Sequence, residues 1–147
     1  MARQSLVIDA SVGVKWFSAV NESSVLQSRA IMHAHAADEI NLVVPDLFFH
    51  EISNALVFKK ALSVDLIDES LAVLFELDLR VWPVNVDRLR AAVRLARKAG
   101  ITEYDACYVV AAIENRCPLV TANPRHQRPE IGCRVIPVDQ WKTEGPK

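Results

Sequence analysis

Three acidic residues stand where a folded chain of this kind would otherwise want apolar side chains. Asp9 ends the apolar run Ser5-Leu6-Val7-Ile8. Glu51 lies within Leu47-Phe48-Phe49-His50-Glu51-Ile52-Ser53-Asn54-Ala55-Leu56, and Asp105 within Tyr104-Asp105-Ala106-Cys107-Tyr108-Val109-Val110-Ala111-Ala112-Ile113; neither stretch holds another formal charge. Burying an ionised carboxylate without a partner costs several kcal/mol at least. These groups therefore reach water or sit beside a cation. Three converging carboxylates suit a hard cation with oxygen ligands, magnesium or manganese. Each acid also has a purely structural role open to it. Asp9 can cap a helix starting near Ala10, Glu51 can pair with a distant arginine or sit at an exposed helix edge, and Asp105 can be the reciprocal partner of Thr102 in a capping box. Those roles leave unexplained why three acids recur at the same end of successive strand–helix units.

Other chemistries find little support. His33 and His35 are two apart on an expected helix and face different ways, and His50 reads as core or rim packing. There is no HExxH, and no zinc-like Cys/His spacing. Cys107, Cys117 and Cys133 are odd in number and form no CxxC pair, with Cys107 reading as a small core residue. A P-loop and GxGxxG are both missing. Phosphoryl-transfer folds of the haloacid-dehalogenase type need DxD after the first strand, where this chain has Asp9-Ala10-Ser11. A receiver domain would want paired acids there and a late lysine, and neither is evident.

The elements that must position the acids follow from hydrophobic patterning. Strands are expected at Ser5–Ile8, Asn41–Val44, Leu79–Val84 (an edge or a strand end, because of Pro83), Pro118–Thr121 and Cys133–Ile136. Helices are expected over 11–18, 22–38 after the polar break Asn21-Glu22-Ser23-Ser24, 46–61, and 63–77 opened by Ser63 or Asp65. Two more follow, one capped by Asp87 and stopped by Gly100, and one opened by Thr102-Glu103-Tyr104-Asp105 and reaching about Asn115. Short, nearly all-apolar strands alternating with helices predict an α/β fold: a three-layer α/β/α sandwich with a mainly parallel central sheet. In such sheets ligands bind beyond the carboxyl ends of the strands, which is where Asp9, Glu51, Asp105 and Asn123 fall.

The chain of 147 residues is the size of one domain. A single domain over 1–147 is expected, with about 140–147 a flexible tail. No apolar run approaches a membrane span and the N-terminus lacks a signal-peptide core, so the cytoplasm is the expected compartment. Residues 1–78 carry 5 Lys/Arg against 11 Asp/Glu, net −6, and residues 79–147 carry 12 against 7, net +5. Within the basic half, Arg90, Arg94, Arg97 and Lys98 follow helical spacing. They read either as a stripe for a polyanion's backbone or as a solvated helix face. Phe48, Phe49, Phe58 and Phe75 read either as members of an ordinary core or as a surplus of aromatics that would go to a dimer or partner groove.

Four segments in register resemble one family. They are Val7-Ile8-Asp9-Ala10-Ser11-Val12 with Lys15-Trp16-Phe17, Val44-Pro45-Asp46-Leu47 with Glu51-Ile52-Ser53-Asn54-Ala55-Leu56, Leu95-Ala96 with Gly100-Ile101-Thr102 and Tyr104-Asp105-Ala106-Cys107-Tyr108, and Leu119-Val120-Thr121-Ala122-Asn123. Together they are similar to PIN domains of the VapC toxin type across nearly the whole chain. The resemblance implies a PIN-like endoribonuclease that uses Mg²⁺ or Mn²⁺. It further implies the toxin of a VapBC-type pair, with a small DNA-binding antitoxin as partner, RNA as substrate and a homodimer as the usual state. By position Asp9, Glu51 and Asp105 match the family's three leading acids, Ser11 a hydroxyl near the metal, and Thr121 a supporting hydroxyl. Asn123 departs from the pattern, which has aspartate there. It keeps a carbonyl oxygen but removes a charge, so one well-held metal is expected rather than two. The alternative it opens is a weak or inactive PIN-like module that binds RNA or protein. Arg125 and His126 follow closely and read either as surface residues or as phosphate contacts.

Overall fold

The computed structural model describes residues 2–20, 22–124 and 131–143. Strands β1 (Gln4–Ile8), β2 (Ile40–Pro45), β3 (Arg80–Trp82), β4 (Leu119–Thr121) and β5 (Val135–Pro137) pair into one sheet in the order β3-β2-β1-β4-β5. Every pairing is parallel, with Val7 beside Val43 on one side and Leu119 on the other. Leu6, Val7, Ile8, Leu119 and Val120 are fully buried. That is the signature of strands covered on both faces. β3, which contains the residues just before Pro83, is an edge as expected.

The helices are α1 (Ala10–Gly13), continued by a 3-10 turn at Val14–Trp16, then α2 (Val25–Ala36), α3 (Leu47–Val57), α4 (Val64–Glu76), α5 (Val86–Ala99) and α6 (Glu103–Glu114). The chain steps β1 to β2 to β3 in one direction and returns from β3 to β4. Right-handed crossovers therefore place α2 to α4 on one face and α5 and α6 on the other, giving the α/β sandwich. None of these helices is long and apolar enough to cross a membrane.

Local chemistry sets the boundaries. Ser63 caps α4, its hydroxyl accepting from the Leu66 N–H at 3.2 Å. Gly100 ends α5 with φ +68°, a left-handed conformation that glycine adopts without strain. The expected cap of α5 at Asp87 is corrected: Asn85 holds that position, its side-chain oxygen accepting from the Arg88 N–H at 2.9 Å, and Asp87 lies in the first turn. α3 stops at Val57, short of the expected 61, and Asp46 caps it. The second oxygen of Asp46 takes the Val84 N–H at 3.3 Å, tying the exit of β3 to the start of α3.

Gly13 explains how α1 lies so close to α3. A Cβ at this position would come within 2.6 Å of Phe48 and 2.7 Å of Ile52. Of the four phenylalanines singled out, Phe48 is fully buried, Phe49 is partly buried and stacks on Phe75 at 4.8 Å, and Phe58 and Phe75 are exposed. His35 is structural, bonding the Leu77 carbonyl through Nε2 at 2.8 Å. In the expected tail, Trp141 is buried, while residues 144–147 lie outside the described residues, as does Asn21.

Candidate active site

The sheet order creates a crevice between β1 and β4, where the crossovers diverge in opposite directions. That is the switch point at which open α/β sheets bind ligands. Asp9 follows β1 directly, and its N–H bonds the Val120 carbonyl of β4 at 3.0 Å. It occupies the N-cap position of α1, yet its carboxylate makes no cap hydrogen bond. Oδ2 instead accepts from the Ser11 hydroxyl at 2.6 Å and the Thr121 hydroxyl at 3.0 Å. Both hydroxyls are held in turn. The Ala122 N–H donates to Ser11 Oγ at 3.1 Å and the Asn123 N–H to Thr121 Oγ1 at 3.0 Å. Asp9 is only 7% exposed. Burial pushes its carboxyl above the ordinary 3.8, the two hydroxyls oppose that rise, and the charge of Asp105 adds to it.

Glu51 projects from the second turn of α3 and is half-buried. Its Oε1 accepts from the Tyr108 hydroxyl at 2.7 Å, across from α6. Burial raises its carboxyl above 4.5, the phenol opposes the rise, and the charges of Asp9 and Asp105 both add to it. Asp105 sits in the first turn of α6. Its backbone N–H donates to Thr102 Oγ1 at 3.1 Å, so Thr102 caps the helix. The reciprocal half of the capping box is not made. The Asp105 carboxylate takes no hydrogen bond from another described residue, and none of the three acids forms an ion pair with a described lysine or arginine.

The three carboxylates thus share one electrostatic neighbourhood without a protein counter-charge. Among the described residues, no three acidic, histidine or cysteine groups are close enough to enclose a metal on their own. The donor set still fits a hard divalent ion whose remaining ligands come from water or substrate. The side-chain hydrogen bonds to Asp9 fall on Oδ2 and that to Glu51 on Oε1, and no described side chain donates to Oδ1, Oε2 or either Asp105 oxygen. Asn123 is exposed at the rim of this crevice. Arg125 and His126 lie outside the described residues.

Arg90, Arg94, Arg97 and Lys98 are exposed on α5, with Arg90 paired to Asp87 at 3.3 Å. α5 and α6 run antiparallel, because Arg88 near the start of α5 forks onto Glu114 at the end of α6. Arg97 and Lys98 therefore stand at the end of α5 that leads into Asp105. Tyr108, which bonds Glu51, is the contact not singled out from the sequence. Its signal was a phenol three positions after Asp105 on an otherwise apolar helix, since a buried hydroxyl must find a partner.

The family model described as PIN domain matches residues 6–131. No curated protein sequence matches the chain. Among solved structures it is similar to VapBC2 of Rickettsia felis, bound to a DNA fragment from its promoter, at 12% identity and TM-score 0.66, covering 90% of this chain and 98% of that one. It is similar to a toxin–antitoxin complex of Klebsiella pneumoniae at 14% identity and TM-score 0.65, covering 90% and 97%. It is also similar to PAE2754 of Pyrobaculum aerophilum at 21% identity and TM-score 0.63, covering 92% and 90%.

Proposed function

The chain belongs to the PIN-domain family, and on that premise we propose that it is a Mg²⁺- or Mn²⁺-dependent endoribonuclease, the toxin of a VapBC-type pair. The observation that carries this reading is that Asp9, Glu51 and Asp105 share the switch-point crevice, where burial raises the carboxyls of Asp9 and Glu51, the charge of Asp105 adds to both, and no lysine or arginine among the described residues pairs with any of the three. Such a site holds a cation or is destabilising. Bound there, the metal supplies charge neutralisation at the scissile phosphate and acidifies water in its coordination shell.

The chain's own residues do the rest. Asp9, held by Ser11 and Thr121, would be the fixed ligand. Glu51 and Asp105 would complete the protein's share of the ligands, and an oxygen of either not given to the metal would accept the attacking water's proton. Water adds to phosphorus in line and the 3′-oxygen departs. Asn123 lends a neutral carbonyl where a further carboxylate would favour a second ion. The basic face of α5, with Arg90, Arg94, Arg97 and Lys98, and Arg125 beyond β4, supplies contacts to the RNA backbone.

The partner is a small antitoxin, in keeping with the toxin–antitoxin complexes that share this fold. Exposed Phe58 and Phe75, and a groove lined by Trp16, Met32, Leu62, Glu69 and Val73, offer it surface, as they do for a homodimer. The protein acts in the cytoplasm. RNA cleavage assayed with and without added Mg²⁺ tests the reading. Asp9→Asn and Asp105→Asn should each abolish cutting, and wild-type rates in either variant, or full activity in chelator, would sink it.

A second reading has its own support in Asn123 and in the absence, among the described residues, of three ligating groups that close on one point. It is a PIN-like module that binds RNA or protein without cutting. Calorimetry with Mn²⁺ alongside the cleavage assay separates the two, since this module would bind RNA with neither metal uptake nor products.

A further inference from the structure

We infer that Tyr108 is a positioning residue, whose hydroxyl holds Glu51 in place at the junction of the three acid-bearing elements. Its ring is fully buried in α6, which packs over β1, β2 and β4 as a rigid platform. The hydroxyl donates to Glu51 Oε1 of α3 at 2.7 Å. Asp105 is three residues earlier on the same helix, one turn away on the same face. One hydroxyl therefore joins the Glu51 carboxylate of α3 to the helix that carries Asp105.

A buried phenol could satisfy itself on any backbone carbonyl. Here it takes a carboxylate from another helix, and no other described side chain donates to Glu51. Glutamate has three side-chain torsions to fix, and without this bond nothing in the described residues would select one placement of its carboxylate. The bond also decides which oxygen is consumed, leaving Oε2 for a ligand. A hydrogen-bonding partner of a metal ligand of this kind acts through orientation, and its loss typically weakens metal binding by about 10–100-fold.

The inference rests on the metal-dependent reading above, so its test begins with Mn²⁺ alone. Calorimetry on the wild type should show binding, and on folded Tyr108→Phe binding at least about tenfold weaker. In the cleavage assay kcat should fall while the KM for RNA stays constant. The Glu51→Gln/Tyr108→Phe double variant should bind Mn²⁺ no more weakly than Glu51→Gln alone, because Tyr108 acts only through that carboxylate. Equal Mn²⁺ affinity in wild type and Tyr108→Phe, or additive losses in the double variant, overturns the role of Tyr108 and leaves the nuclease reading standing. Absence of Mn²⁺ binding by the wild type overturns both. Should Tyr108→Phe not fold, fluorotyrosine in a Tyr104→Phe background reports on Tyr108, since the chain has two tyrosines. Mg²⁺ should move its fluorine resonance with the calorimetric midpoint, and an unmoved signal overturns the inference.

Discussion

Asp9 shows what a buried carboxyl costs its own fold. Its carboxyl is raised by burial, so between the ordinary 3.8 and its folded value the native state holds a proton that the unfolded chain has released. Stability is therefore lost as pH rises through that window, and Glu51 acts in the same direction from 4.5 upward. Glu22 has the opposite sign. Although burial works against it, the ammonium groups of Lys15 at 2.6 Å and Lys59 at 3.0 Å hold it below 4.5, so its contribution is lost as pH falls through its folded value. The metal-free protein should thus be more stable in weak acid than at neutral pH. Asp9→Asn keeps an oxygen for Ser11 and Thr121 and removes the buried charge. It should raise stability at pH 7 without metal by about 0.5–2 kcal/mol and flatten the acid-side rise, as thermal melts across pH would show. A loss of stability at pH 7 would contradict this account.

Among the elements, α1 and its glycine matter most for the site. Gly13→Ala places a methyl where Phe48 and Ile52 already stand, 2.6 and 2.7 Å away. α1 must then lift from α3, which separates Asp9 from Glu51. The expected cost is about 1–3 kcal/mol by denaturant unfolding, with nuclease activity falling further than stability alone explains. An unchanged unfolding midpoint would show that the two helices have slack. The α5 cap offers a cleaner contrast. Asn85→Ala should cost about 1 kcal/mol, and Asp87→Ala only a few tenths, because its contribution is a charge near the helix N-terminus. Equal costs would mean that Asp87 shares the capping role.

For the molecule as a whole, two linked equilibria report on function. A ligand that binds the native state alone adds about 2.7 kcal/mol of stability at a hundred times its Kd, which for this size is a melting shift of roughly 5–10 °C. Mn²⁺ should produce that shift in the wild type and none in Asp9→Asn. RNA binding should weaken with salt. Each arginine removed from α5 that contacts phosphate should flatten the log–log slope by roughly 0.7, the value for single strands. Arg94→Ala with Arg97→Ala giving the wild-type slope would reassign that face to solvent.

Composition, alternation and cap chemistry alone determined the α/β class, the strand positions and the glycine stop at Gly100, because periodicity and turn residues act locally. They also put the cap of α5 at Asp87, where Asn85 serves. Both are good N-cap residues, and which one serves depends on where β3 releases the chain, a point fixed by the Val84 N–H bond to Asp46. Nor could they decide among the roles open to each acid. Asp9 sits in a cap position and declines the cap, since hydroxyls from α1 and β4, the latter 112 residues on, claim its oxygen. Asp105 leaves the capping box half made, and Glu51 takes a phenol instead of an arginine. Those outcomes depend on which surfaces meet when β1 and β4 become neighbours and α6 crosses to α3. Contacts between residues far apart in the chain leave no spacing for a sequence to display, so only the packed structure shows which hydroxyls take Asp9 and that Tyr108 takes Glu51.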